Sequence, residues 1–304
     1  MIRPPLLDAL SARVLLCDGA MGTQLWDAGL ESGECGEAWN LDQPGRVLRI
    51  QRNYVEAGSD LIITNTFGAS RIMLERHGQG DRTVAINREG AAIAREALGG
   101  GGYVLGDIGP FGGLMEPYGE IAPAAVEKAF REQAWALVDG GVDGIIIETQ
   151  TAFEELEIAI RAAREAGAQV VIASIAFDRM ADEDDVRTVT GISPEQAAEF
   201  MAANGCDIAA LNCGTGVDVS MAAKIVQRYR GSCDLPVMAQ PNAGAPVHEN
   251  MQVLYRQSAA DMCADLPQLL AAGPRIVGGC CGSTPAHIRL FRQLIDKYNH
   301  PSRV

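Results

Sequence analysis

The sequence contains no apolar run of the ~18 residues needed to cross a bilayer. Its opening Met1-Ile2-Arg3-Pro4-Pro5 lacks the apolar core of a secretory signal. These absences predict a cytoplasmic chain with no membrane partner. Basic residues are scarce: 25 Lys and Arg against 39 Asp and Glu give a formal net charge of -14. Nucleic-acid surfaces need basic patches, so DNA and RNA are excluded as partners. No Cys-x-x-Cys pair and no Gly-x-Ser-x-Gly elbow occurs, and Gly99-Gly100-Gly101-Gly102 lacks the spacing of a dinucleotide loop. The four histidines, His77, His248, His287 and His300, fall in loop, tail or first-turn settings and suggest no ligand set. Linkers and breaks in composition are also missing, so residues 1–304 read as a single domain.

What is present is a repeat of short β-rich runs, loops and amphipathic helices. The runs are Val14–Cys17, Leu61–Thr64, Tyr103–Gly106, Gly144–Ile147, Val170–Ala176, Ile208–Leu211, Val237–Gln240 and Arg275–Gly278. Helical patterns lie near 44–57, 83–98, 123–139, 152–166, 194–204, 217–230, 258–272 and 284–297. Pro123, Pro194 and Pro285 sit where a first helical turn accepts proline, and Ser193 and Thr284 offer caps. Alternation of strand and helix implies parallel pairing through right-handed crossovers. Eight units with continuously apolar strands predict an α/β fold of the closed (β/α)8 TIM-barrel type, with an open doubly wound sheet as the rival.

In a barrel, chemistry collects where strands end. Asn212-Cys213-Gly214 ends the sixth run and Gly279-Cys280-Cys281-Gly282 the eighth, with Pro241-Asn242-Ala243-Gly244 between them at the seventh. Three thiolates would hold a zinc ion with one tetrahedral position open, an arrangement suited to catalysis. The alternative is a cysteine pair buried as packing in a tight glycine turn. Cys17, Cys35, Cys206, Cys233 and Cys263 read as free thiols. Asp18 and Glu148 end the first and fourth runs, either as caps or loop acids, or as a pair gripping an ammonium group. Gly19 would let backbone N–H groups approach a substrate carboxylate. Asp182-Glu183-Asp184-Asp185 reads as a solvated loop.

Taken in order, Asp18-Gly19-Ala20-Met21-Gly22-Thr23, Thr64-Asn65-Thr66-Phe67, Gly106-Asp107-Ile108-Gly109-Pro110, Glu148-Thr149, Leu211-Asn212-Cys213, Pro241-Asn242-Ala243-Gly244 and Gly278-Gly279-Cys280-Cys281-Gly282 resemble the homocysteine S-methyltransferase family. The likeness is strongest to the homocysteine-binding barrel of cobalamin-dependent methionine synthases, over about residues 13–297. It implies a (β/α)8 barrel with Zn2+ on Cys213, Cys280 and Cys281, homocysteine sulfur as fourth ligand, and methyl transfer onto that sulfur to give methionine. It maps Asp18 and Glu148 to the homocysteine amino group, and Asn242 to the open metal position when substrate is absent.

The resemblance leaves the methyl donor open. No histidine sits in the Asp-x-His-x-x-Gly pattern of a cobalamin ligand, so methylcobalamin would have to come from another chain, a separate corrinoid or folate protein. Betaine-using relatives carry aromatics where this chain has Gly68 and Thr149. Trp26, Trp39, Phe111 and Tyr118 are candidates for a different aromatic box for betaine or a sulfonium donor. Phe67, Asp107, Phe111 and Tyr118 are the candidate donor-side residues. Ala245–Asp261 is shorter than its counterpart in methionine synthases. Two alternatives to a self-sufficient methionine-forming enzyme are one component of a multi-protein corrinoid pathway and a non-catalytic zinc barrel.

Overall fold

In chain order, eight strands share one sheet: β1 (Leu15–Leu16), β2 (Leu61–Ile63), β3 (Tyr103–Ile108), β4 (Gly144–Gln150), β5 (Val171–Ile175), β6 (Ile208–Asn212), β7 (Val237–Gln240) and β8 (Ile276–Val277). The computed structural model describes residues 3–181, 185–249 and 252–300, so Asp182, Glu183 and Asp184 of the acidic run lie outside the described residues. Asp185 pairs with Arg187 at 3.0 Å and Arg228 at 2.9 Å. All neighbouring strands run parallel, in the order β1-β8-β7-β6-β5-β4-β3-β2. Such a sheet curls into the expected (β/α)8 barrel rather than the open doubly wound alternative.

Side chains alternate across the barrel wall. Leu15, Cys17, Leu61, Ile63, Tyr103, Leu105, Ile146, Ile172, Ile208, Ala210, Met238 and Ile276 form one cluster that fills the interior. Leu16, Ile62, Val104, Ile145, Ile147, Val171 and Val277 face outward into a second core beneath the helices. With both faces covered, the strands read as continuous apolar runs. The outer ring comprises α1 (Pro44–Ala57), α2 (Thr83–Leu98), α3 (Pro123–Asp139), α4 (Phe153–Glu165), α5 (Pro194–Ala203), α6 (Val219–Ser232), α7 (Leu266–Ala272) and α8 (Pro285–Asn299). Pro123, Pro194 and Pro285 start their helices as expected, and Ser193 closes a capping box with Gln196.

The helix expected over 258–272 is instead two, Ala259–Ala264 and then α7. The reason is Pro267, which has no N–H to continue the ladder and whose ring crowds the preceding turn, so the chain restarts as a new helix with proline in its first turn. Two antiparallel hairpins were not anticipated: Asp178–Arg179 with Val186–Arg187, and Pro246–Glu249 with Gln252–Tyr255.

No ladder joins β1 to β2. Asp60 closes the lower end of this seam: its N–H donates to Leu16 O at 2.6 Å and its carboxylate accepts Leu16 N–H at 2.9 Å. Arg13 and Arg292 also donate to that carboxylate, at 2.8 and 2.9 Å. The same device recurs around the lower rim. Asp143 accepts Val104 N–H (2.8 Å) and pairs with Arg95 (2.7 Å) and Arg3. Asp207 accepts Val171 N–H (2.8 Å) and pairs with Arg164 (2.7 Å). Each acid follows a glycine two positions earlier and immediately precedes an even-numbered strand. The upper end of the β1–β2 seam is bridged by Asp18, whose carboxylate accepts Ile63 N–H at 2.8 Å.

Candidate metal centre

Cys213 leaves β6 in a left-handed conformation, φ 56°, that is unusual for a residue other than glycine. The residue before it, Asn212, bonds both ways with Thr149 (φ 57°) at the end of β4: Thr149 N–H donates at 3.0 Å and Asn212 Nδ2 donates at 2.8 Å. Two backbone turns that resist this geometry are thereby fixed together at the mouth. From β8 the chain passes through Gly278-Gly279 to Cys280 and Cys281. The β7 loop ties the two ends: Cys280 N–H donates to Pro241 O at 2.9 Å and Ala243 N–H to Cys281 O at 2.9 Å. Pro241-Asn242 therefore lies between the cysteines, as strand order required.

The Cys213, Cys280 and Cys281 sulfurs lie within 4.8 Å of one another, the only such group of potential ligands among the described residues. Cys213 and Cys281 are 3.9 Å apart, Cys280 and Cys281 4.0 Å. Around a tetrahedral ion with Zn–S near 2.3 Å, adjacent sulfurs would be about 3.8 Å apart. Asn242 Nδ2 donates to Cys213 Sγ (3.7 Å) and Gly214 O (3.1 Å), while its buried Oδ1 has no partner. An orphaned oxygen beside three thiols, with no fourth cysteine or histidine, fits a metal with an exchangeable fourth position. Hydrogen bonds from Cys280 and Cys281 hold Cys213 far below the ordinary thiol range, and hydrogen bonding with Cys213 pushes Cys281 up to about 11.

Three carboxyl groups line the same mouth. Burial lifts Asp18 to about 7 despite the Ile63 N–H bond. Burial lifts Glu148 to about 8, reinforced by the charges of Asp18 and Cys213. Burial, then Glu148, Glu37 and Asp18, raises Asp107 well above the carboxylate range, and Asp107 Oδ1 has no hydrogen-bond partner. No arginine or lysine pairs with any of the three among the described residues. Asp18 and Glu148 cap no helix; they point with Asp107 into the barrel's upper layer.

Gly19 is packed so closely that a Cβ there would lie 2.7 Å from Ser283 Oγ and 2.9 Å from the Tyr54 ring. Tyr54 donates to Ala20 O at 2.7 Å and Ser283 Oγ accepts Ala20 N–H at 3.1 Å, fixing the loop that carries Asp18 and Gly19.

The donor-side candidates are scattered. Phe67 is partly exposed and packs against Gly109. Phe111 is 1% exposed within the core, with its N–H held by Glu155 at 2.8 Å, whereas Tyr118 is 88% exposed. Trp39 is buried under Arg46, and Trp26 faces outward. Of the four box candidates, Trp39 and Phe111 are therefore buried and Trp26 and Tyr118 exposed.

The remaining five cysteines are free thiols, as expected. Asn212 and Tyr255 were not singled out from sequence. Asn212 Nδ2 reaches Cys280 Sγ at 3.8 Å, and Tyr255 packs on Gly282, next to Cys281. Asn212 adjoins a candidate ligand and sat within a quoted motif; Tyr255 carried no such signal.

Comparison with known proteins gives the family and supports the fold. The sequence profile of the homocysteine S-methyltransferase family matches residues 15–295. Methionine synthase of Mycobacterium tuberculosis is 34% identical over 98% of this chain, and that of Mycobacterium leprae 33% over 97%. The chain spans about a quarter of the length of these curated relatives (26% and 25%). Among solved structures, the metallated form of the homocysteine methyltransferase MmuM from Escherichia coli superposes with a TM-score of 0.76 at 23% identity, covering 96% of this chain and all of that one. That likeness supports the barrel, and the profile over nearly the whole sequence supplies the family. This chain belongs to the homocysteine S-methyltransferase family.

Proposed function

We propose that the chain transfers a methyl group to the sulfur of homocysteine, with zinc held by Cys213, Cys280 and Cys281. The observation that carries this is the sulfur trio at tetrahedral spacing, set beside buried acids that have no cationic partner. Zinc, when bound, lowers the pKa of a thiol so that its nucleophilic thiolate forms near neutral pH.

The chain's own residues would do the rest. Asp18 and Glu148 would receive the substrate ammonium, a charge their buried carboxyl groups otherwise lack. The loop at Gly19, held by Tyr54 and Ser283, would present backbone to the substrate carboxylate. Asn242 Oδ1 would fill the fourth position until substrate displaces it. Orientation of thiol and donor in one water-poor mouth would supply much of the rate. The test is Cys280→Ser. It is expected to lose bound zinc and about a thousandfold or more in methyl transfer together; full turnover by a zinc-free variant would defeat the mechanism.

The donor is the second half of the proposal. The relationship to methionine synthases favours methylcobalamin as the donor, and the split of the four aromatic rings between two buried and two exposed disfavours a betaine cage built from them. Methyl transfer assayed from methylcobalamin, S-methylmethionine and betaine to homocysteine decides among them. Activity with betaine alone would reverse this preference.

A further inference from the structure

We propose that Asp107 is a third acceptor for the substrate's ammonium group, set between Asp18 and Glu148, and that it restricts the site to thiols bearing a primary amine. The proposal rests on the homocysteine reading above and names what selects that class of thiol. The three acids stand over three successive staves of the barrel. The Asp18 carboxylate reaches the end of β2, where it accepts Ile63 N–H at 2.8 Å. Asp107 belongs to β3 and Glu148 to β4. In register, Ile63 lies beside Leu105 and Asp107 beside Ile146. Leu105 and Ile146 are both members of the cluster that fills the barrel. Residues two further along a strand point the same way, so Asp107 and Glu148 project inward above that cluster.

Asp107 is clamped at its backbone and left open at its side chain. Its N–H donates to Thr64 Oγ1 at 2.9 Å, and its carbonyl oxygen accepts Thr66 Oγ1 at 2.8 Å and Gln133 Nε2 at 3.2 Å. The residue is only 4% exposed, yet Oδ1 has no hydrogen-bond partner. A buried acid left without a partner is a cost to the fold. A rigid backbone that aims it into the mouth suits a ligand bringing its own donors. A primary ammonium carries three N–H groups, one for each acid, and a positive charge that offsets their mutual repulsion. An N-alkylated amine lacks the third N–H, and a thiol without an amine leaves all three acids unmatched. The place of Asp107 between Asp18 and Glu148 thus assigns it to the thiol substrate, not to the donor side expected from sequence.

Asp107→Asn keeps the shape of the side chain and removes its charge. In zinc-loaded protein, calorimetric titration should show homocysteine bound about 10-fold more weakly by the variant. Binding of γ-mercaptobutyrate, which has the thiol and the carboxylate but no amine, should change less than about two-fold. Asp107→Ala removes the third acceptor and leaves room for a methyl group, so N-methylhomocysteine should gain on homocysteine by about 10-fold. Equal losses for the two thiols in Asp107→Asn would overturn the ammonium role and make Asp107 structural. Unchanged homocysteine binding with a raised KM for the methyl donor would overturn it in favour of the donor side. An unsubstituted protein that binds homocysteine no better than γ-mercaptobutyrate would overturn the homocysteine reading beneath it.

Discussion

The two rims of the barrel both carry buried or half-buried acids, and they treat them in opposite ways. On the lower rim, Asp60, Asp143 and Asp207 each accept a neighbouring strand's N–H and each meet at least one arginine. Burial pushes Asp143 up, but Arg3, Arg95 and Val104 N–H outweigh it and hold the carboxyl below its ordinary range. On the upper rim, Asp18, Asp107 and Glu148 are more deeply buried, have no cation, and are raised. A chain with 25 basic residues places them where folding needs a counter-charge and withholds them at the mouth. There the positive charge has to arrive with the metal and the ligand.

The sharpest way to break this contrast is to remove a lower-rim acid. Asp60→Ala deprives Leu16 N–H, Arg13 and Arg292 of their shared acceptor, and should cost about 3 kcal/mol of stability in denaturant unfolding. Homocysteine affinity of the remaining folded protein should stay within about two-fold. A fall in affinity without a fall in stability would erase the distinction between the rims.

The reciprocal change is Glu148→Gln. It removes a carboxyl group that burial forces to take up a proton, so the melting temperature near neutral pH should hold or rise. Homocysteine dissociation, read by calorimetric titration, should weaken about 10- to 100-fold as a charge-assisted hydrogen bond is lost. A destabilised variant with normal affinity would place Glu148 among the structural acids.

The smallest effect is a slope with pH in metal- and substrate-free protein. Unfolded carboxyl groups titrate near 4, whereas folded Asp18 lies at about 7 and Glu148 at about 8. The folded state therefore holds the extra protons between those values. The stability they contribute is fully present below about pH 4 and lost as pH rises through 7 to 8, by up to about 1.4 kcal/mol per pH unit for each group. Asp143 has the opposite sign: its contribution is present above its unfolded pKa and lost as pH falls through its lowered folded value. Unfolding measured from about pH 2 to 8.5 checks both directions, with Glu148→Gln expected to flatten the decline between about pH 4 and 8.

Much of this was legible in the residues because local chemistry and global fold agree. Proline at the helix starts, caps at Ser193 and Thr284, and apolar runs eight times over were enough for the barrel. The sulfur trio was legible because cysteines at two strand ends become neighbours once strand order is known. The hairpin carrying Tyr255 was not, since strands of only four residues, Pro246–Glu249 and Gln252–Tyr255, show little periodicity. Asn212 reaches Cys280 and Tyr255 packs on Gly282 along paths no spacing rule describes. Ring identity likewise says nothing of direction: Phe111 lies in the core while Tyr118 is exposed.

The seam between β1 and β2 is the one stave of the barrel held by side chains instead of a backbone ladder. Its lower clasp, Asp60, is riveted by two arginines. Its upper clasp is Asp18, the acid proposed to hold the substrate. An ammonium drawn to that carboxylate would keep it charged and tighten its grip on the Ile63 amide. Filling the vessel and sealing its wall would then be a single event, and an empty mouth would be the condition in which the barrel most readily comes unhooped.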